Sequence, residues 1–192
     1  MFGKNVDTVE GEEWQRHRKI TTPPFNERNS GLVWKESLRQ AEDMIKEWSA
    51  HREQGVNTTN EDMRTLALHV LTSAGFGVVF IIVFPRKVLS SSFAPKTFRR
   101  LSTAIQEFET YMTEMVNHER MMISKRDPGT GNLLSSLIRA SDQAKENALT
   151  EDEIRGNTFI YSFAGHETTA NTLAYAISLL AVYPKYQDWI HQ

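Results

Sequence analysis

Residues 163–173 read FAGHETTANTL, a glycine, an acid and a Thr-Thr pair set inside a long apolar stretch with helical character. At 100° per residue, Ala164, Glu167, Thr168 and Asn171 share one side of such a helix, with Gly165 and Thr172 beside them. Gly165 costs about 1 kcal/mol relative to Ala in a helix interior, and Thr168 bends a helix when its hydroxyl bonds back to a carbonyl one turn earlier. Small Ala164 and Gly165 let a flat object approach the backbone, and a hydroxyl beside a carboxylate makes a proton-delivery pair. The same residues also serve plain helix packing through a small-residue notch with Glu167 exposed, and the stretch alone leaves both readings open. His166-Glu167 opens a His-Glu-x-x-His zinc-protease motif, but position 170 is Ala, so the second ligand is missing.

A second pair lies far upstream. Trp14 and Arg18 are four residues apart and share a helical face, and a guanidinium suits a carboxylate. By themselves they read equally as a surface cation–π pair. Composition narrows the chemistry further. The 192 residues include no cysteine, which excludes a disulfide scaffold, thiolate zinc sites and any thiolate ligand to iron. With a net charge of −2, no global basic field points to nucleic acid. The N-terminal MFGKNVDTVEGEEW has no apolar h-region, so no secretory signal is expected. The sequon at Asn57 then reads as chance.

The elements that must position these residues are almost wholly helical. Residues 11–20 form a short helix with acids Glu12 and Glu13 first and Arg16, Arg18 and Lys19 last, an order that complements the macrodipole. Pro23 and Pro24 stop it. Trp34, Leu38, Ala41, Ile45 and Trp48 make one apolar stripe on a helix of about 18 residues, five turns of about 3.6. After a loop at REQGVNTTN, a helix from about Glu61 carries Met63, Ala67, Val70 and Ala74 on one face and stops near GFG. Leu101, Ile105, Phe108, Met112 and Met115 step by four and three, with core packing favoured over a Met-lined groove. LLSSLIRAS is a short helix. The last helix is the best specified: Thr150 and Glu153 form a capping box, Leu149 and Ile154 a hydrophobic staple, and acids fill the first turn. It runs to about Val182, on the order of 48 Å at 1.5 Å per residue, and Pro184 ends it.

The string FAGHETTANTL resembles the oxygen-activation segment of the cytochrome P-450 family, [Ala/Gly]-Gly-x-[Asp/Glu]-Thr-[Thr/Ser], matched here by Ala164, Gly165, His166, Glu167, Thr168 and Thr169. WQRHR resembles the family's Trp-x-x-x-Arg helix. LHVLTSAGFG, FETYMTEMV, NLLSSLIRAS and YPKYQDWIHQ look like stretches of fungal or other eukaryotic members, so the likeness covers residues 10–192. It implies an all-α fragment of that fold, with residues 1–192 a partial domain running from the Trp-x-x-x-Arg helix through the central oxygen helix. It implies haem as cofactor, with Trp14 and Arg18 on a propionate, His17 adding a donor, and Ala164 and Gly165 beside the ring. Thr168 would hydrogen-bond dioxygen and Glu167 would relay protons, one oxygen atom passing into a small organic substrate. Electrons would come from an NADPH-dependent reductase. Full-length eukaryotic relatives sit typically at the endoplasmic reticulum membrane, and no nucleic-acid partner is implied.

The sequence also departs from the family pattern. The Glu-x-x-Arg motif and the Phe-Gly loop with its haem-ligating Cys should lie beyond Gln192. Against the family pattern the N-terminal anchor is expected to be missing, and residues 77–84 look like a join. As written, the chain is expected to be inactive for want of the Cys ligand. The residues also allow two other classes: a non-catalytic helical protein-interaction module using the Met and Trp stripes, and a single-pass membrane protein spanning Thr65 to Pro85, a stretch without a charge.

Overall fold

The computed structural model describes residues 3–50, 55–76, 97–125 and 131–192, apart from the side chains of 97–107. Every regular element among them is a helix: α1 (Gly11–Thr21), α2 (Glu27–Ala50), α3 (Thr59–Val70) with a π-helical turn (Leu71–Phe76), α4 (Thr97–Ile123), α5 (Leu133–Gln143), a short 3-10 turn (Lys145–Asn147), α6 (Glu151–Val182) and α7 (Pro184–His191). The expected run VVFIIVF and the 77–84 join lie outside the described residues, as does most of the apolar half of 65–85. No described helix is long and apolar enough to cross a membrane.

Local chemistry explains most boundaries. α1 ends where Thr22 gives both its amide (3.1 Å) and its hydroxyl (2.7 Å) to the Arg18 carbonyl, just before Pro23 and Pro24 remove two amide donors. α2 is longer than its apolar stripe, 24 residues, because Asn26 accepts from the Asn29 amide at 3.0 Å and starts the helix two turns early. That stripe does not form core: Trp34, Leu38 and Ile45 are exposed. α2 instead meets α3 through polar bridges, His69 to Gln40 at 3.2 Å and the Trp48 indole to Asp62 at 2.9 Å. All four expected apolar positions, Met63, Ala67 and Val70 in α3 and Ala74 in the π turn that follows it, are buried. Approaching GFG the backbone widens into the π turn, whose last residue, buried Phe76, joins the core; Gly77 lies outside the described residues.

The core gathers Met112, Met115 and Val116 of α4, Leu134, Leu137 and Ile138 of α5, and Leu149 and Ile154 at the head of α6. The methionines pack inside it rather than lining a groove. α6 has its capping box: Thr150 Oγ1 accepts from the Glu153 amide (3.3 Å), and Glu153 Oε2 accepts from the Thr150 amide (2.8 Å). Residues 3–6 cross the first turns of α6, where the Val6 amide donates to Asn157 Oδ1 at 2.9 Å. The crossing needs two glycines. A Cβ on Gly156 would overlap the Lys4 carbonyl oxygen, and Gly3, at φ +86°, lies against the Asp152 carbonyl.

Candidate functional site: one face of α6 and the edge of α1

In the second half of α6, residues four apart divide into two stripes with different surroundings. Gly165, Thr169 and Leu173 line a cleft of about 380 Å³ between α2, α3 and α6, together with Trp34, Val70 and Leu71. A Cβ on Gly165 would lie 3.5 Å from Leu71 Cδ1, an ordinary contact. The small residue at 165 therefore borders α3, whereas the sequence reading set it beside Ala164 for the approach of a flat object. Ala164, Thr168 and Thr172 form the neighbouring stripe and are exposed. There the hydroxyls bond back along the helix, Thr168 to the Ala164 carbonyl at 2.5 Å and Thr172 to the Thr168 carbonyl at 2.8 Å.

Glu167 is held from α3. Its Oε1 accepts from Arg64 at 3.2 Å, and the adjacent His166 ring donates from Nε2 to the Arg64 carbonyl at 3.1 Å. Arg64 is thus gripped at side chain and backbone by consecutive residues of α6. Nothing in the sequence pattern identified it, because Arg64 and Glu167 are 103 positions apart.

α1 approaches the same side of α6 two turns upstream. The Tyr161 hydroxyl donates to the Thr21 carbonyl at 3.0 Å, and its ring meets Phe25 edge-on at 5.2 Å between centroids. Burial pushes the Tyr161 hydroxyl well above its ordinary pKa, while its bond to Thr21 and the charge of Arg18 act the other way. Tyr161 and Thr168 are seven residues apart, which on a helix places them nearly in line. The Arg18 edge of α1 therefore borders the face that carries Thr168. Trp14 is 43% exposed and Arg18 is exposed; neither side chain has a hydrogen-bond partner among the described residues.

His17 differs from the expectation that it adds a donor to a propionate. It is fully buried, and both ring nitrogens are engaged: Nε2 with Glu153 Oε1 at 3.2 Å, Nδ1 with Asn157 Nδ2 at 3.1 Å. Asn157 uses its oxygen for the Val6 amide and its Nδ2 also for the Glu153 carbonyl at 2.7 Å. The ring therefore fits as the Nε2–H tautomer, accepting at Nδ1 and donating to Glu153. By spacing His17 lies one turn from Trp14 on a neighbouring face of α1, but its burial and its bonds to Glu153 and Asn157 turn its ring toward the head of α6 rather than to the exposed Trp14 and Arg18.

Arg16 completes this cluster. Its guanidinium holds both carboxylate oxygens of Glu153, with Nη1 to Oε2 at 3.1 Å, and also reaches the Ala148 carbonyl at 3.1 Å. Burial raises the Glu153 pKa, but hydrogen bonds from Arg16, the Thr150 amide and His17 outweigh it and bring it down to about 2. Glu13, His17 and Glu153 place possible metal-ligand atoms within 4.8 Å of one another. A cation already serves them, since Arg16 bonds Glu153 and lies 3.9 Å from Glu13.

The residues fit one face of a haem: unengaged indole and guanidinium donors suited to a carboxylate, beside small and hydroxylic residues on a helix face. A thiolate ligand to the iron would have no source in these 192 residues, which contain no cysteine.

Comparison with known proteins identifies the family and the fold. The Cytochrome P450 family model matches residues 79–192. The chain is 31% identical over 224 aligned positions to Cytochrome P450 monooxygenase 124 of Postia placenta, spanning all of this chain and 43% of that protein. It is 31% identical over 240 positions to Cytochrome P450 monooxygenase ORF6 of Penicillium roqueforti, again over the whole chain and 40% of the relative. Both alignments exceed 192 positions, so within the matched region these relatives carry residues that this chain lacks. The chain thus spans less than half the length of the curated relatives it matches. In fold it is similar to a crystal structure of a cytochrome P450, with TM-score 0.72 at 20% identity, over 96% of this chain and 47% of that one. The haem domain of the P450DA mutant matches with TM-score 0.73 at 21% identity, over 98% and 44%. A family model matched over more than half of its residues, on a helical framework shared with solved members, places this chain in the cytochrome P450 family.

Proposed function

We propose that this chain supplies the propionate-binding and oxygen-facing helices of a haem-dependent monooxygenase that transfers one oxygen atom from O2 to a small organic substrate. Haem, when bound, supplies the iron that activates dioxygen. The observation that carries the reading is the exposed Ala164–Thr168–Thr172 stripe of α6 bordered, through Tyr161 and Thr21, by the Arg18 edge of α1. Arg18 and Trp14 hold the cofactor by its carboxylates: the guanidinium forms charge-assisted bonds and the indole N–H adds one donor. Ala164 and Thr168 present little side-chain bulk to the ring; Gly165, on the neighbouring stripe, keeps the helix slim between the ring and Leu71.

Thr168 manages a proton at Oγ1. In this structure that proton goes to the Ala164 carbonyl. Rotation about the Cα–Cβ bond turns it outward, so the hydroxyl can donate to a ligand on the exposed face and then be recharged. Glu167 is the neighbouring acid. Its Oε1 is bonded to Arg64, which orients the carboxylate, while Oε2 has no partner among the described residues and can accept and pass protons from solvent. Electrons reach the family's members through a redox partner; an NADPH-dependent reductase is the partner expected here. Having no cysteine, this chain is inferred to be inactive alone.

The test is a titration of the full chain with haemin and with its propionate dimethyl ester, read by Soret absorbance and tryptophan quenching. The wild-type chain should prefer the free acid. Arg18→Leu should cut that preference by about tenfold, the loss of a charge-assisted bond pair worth about 1.4 kcal/mol. Equal binding of acid and ester by the wild-type chain would remove the propionate assignment. Supplied with haemin, NADPH and a reductase, the chain should oxygenate nothing; product above the haemin blank would end the inference of inactivity.

A further inference from the structure

We propose that Glu153, at the head of α6, is a positioning residue: by gripping Arg16 and His17 together it fixes α1, and with it Trp14 and Arg18, relative to the oxygen-facing side of α6. The functional consequence rests on the reading of Trp14 and Arg18 given above, whereas the mechanical coupling does not.

Three features of the cluster carry this. First, Glu153 uses both oxygens on α1: Oε2 takes Arg16 Nη1 at 3.1 Å, while Oε1 takes Arg16 Nη2 and His17 Nε2, the latter at 3.2 Å. Consecutive residues of α1 bound to one carboxylate fix the rotation of α1 about its own axis as well as its distance, which a single contact would leave free. Second, the carboxylate cannot swing, because Oε2 also closes the capping box with the Thr150 amide at 2.8 Å and its side chain is nearly buried. The anchor is thus the rigid first turn of a 32-residue helix. Third, the residues that would meet the cofactor flank those that are gripped. Trp14 and Arg18 bracket Arg16 and His17 on the same short helix, so rotation of α1 by one residue's arc would carry the donors away from the Thr168 side. Asn157 backs His17 from one turn further along α6, at 3.1 Å, so the imidazole is held at both nitrogens.

A purely local salt bridge would also stabilise the fold, so stability alone does not test positioning. The chain has no cysteine, which makes site-directed spin labelling clean. Labels would be placed on exposed α1 and α6 positions through Gln15→Cys and Ser178→Cys in the full chain, and the inter-label distance distribution measured by pulsed electron resonance. The parent should give one narrow distribution. Glu153→Gln, which keeps the side-chain shape, and Arg16→Met, which leaves the helix cap intact, should each broaden or shift it by at least half its width with helicity unchanged. Glu13→Gln, whose carboxylate is 3.9 Å from Arg16, should leave it as in the parent. The proposal is overturned by an unchanged distribution in Arg16→Met, by a broad distribution in the parent, or by broadening in Glu153→Gln alone, which would reflect loss of the cap. Broadening in both variants together with equal binding of haemin and its diester by the parent would support the coupling and sink only the propionate reading.

Discussion

Glu153 stays ionised against the pull of its own burial because Arg16, the Thr150 amide and His17 bond its carboxylate, and that ties the stability of the fold to acid. With a folded pKa near 2 and an ordinary value of 4.5, it binds fewer protons folded than unfolded between those limits. Its contribution is complete above pH 4.5 and is lost as pH falls toward 2; two and a half units correspond to about 3 kcal/mol at most. Glu153→Gln should therefore lower stability at pH 7 and flatten its dependence between pH 5 and 3, as read by urea unfolding at a series of pH values. A slope as steep as that of the wild type would show that other carboxylates carry the acid limb. Gly165 leads to the opposite expectation. A Cβ there meets Leu71 at ordinary contact distance, so Gly165→Ala should raise the stability of this chain by about 0.5–1 kcal/mol through helix propensity. Destabilisation would mean that the cleft closes more tightly on α6 than the static contact indicates.

At the level of elements, short-range chemistry starts each helix and long-range contacts seat it. α5 begins with Asn132, whose side chain accepts from the Ser135 amide at 2.9 Å while Ser135 Oγ accepts from the Asn132 amide at 2.6 Å. Asn132 is buried and also donates to Glu119 at 3.3 Å, so Asn132→Ala should cost about 1–2 kcal/mol, measured by chemical denaturation. At the head of α6 the close crossing of residues 3–6 leaves no room at 156. Gly156→Ala should cost about 1–3 kcal/mol by overpacking against the Lys4 carbonyl, far more than any propensity gain. Thermal unfolding of the two glycine variants side by side separates the rules: alanine should raise the midpoint at 165 and lower it at 156.

On the scale of the whole molecule, the burial is lopsided. The head of α6 lies in the core, but its far half and α7 present Tyr175, Leu179, Val182 and Trp189 to solvent, Trp189 at 72% exposure. A helix apolar on all sides is normally covered on all sides, and a surface of this kind recruits other apolar surface. The chain should bind a hydrophobic fluorescent dye strongly and associate at micromolar concentration, with Trp189→Ser together with Tyr175→Ser reducing both. A monodisperse, dye-silent chain in sedimentation and fluorescence would contradict this. The curated relatives are more than twice as long, which gives such a surface ready partners within the family.

Short-range order in this protein was legible in the residues themselves. Met63, Ala67, Val70 and Ala74 face the core as their spacing requires, and Thr150 and Glu153 cap α6, because periodicity and capping are settled within a few residues of chain. The segment 164–169 was legible as a family signature, yet its surroundings were not. Gly165 faces Leu71 and Glu167 faces Arg64, contacts that depend on how α3 lies across α6. The stripe on α2 is apolar at the spacing of a helix face, but that spacing carries no information on which neighbour covers it, and Trp34, Leu38 and Ile45 stay exposed. His17 illustrates the same limit: sequence neighbours Trp14 and Arg18 suggested a shared role, while a carboxylate 136 positions away gave it another. By itself, then, the sequence determined the helical class, the cap of α6 and the family, whereas the early start of α2 and the Asn132 cap of α5 emerged only in the structure. Only the tertiary structure decided which polar groups meet, because ion pairs and close backbone crossings form between residues that are adjacent in space and remote along the chain.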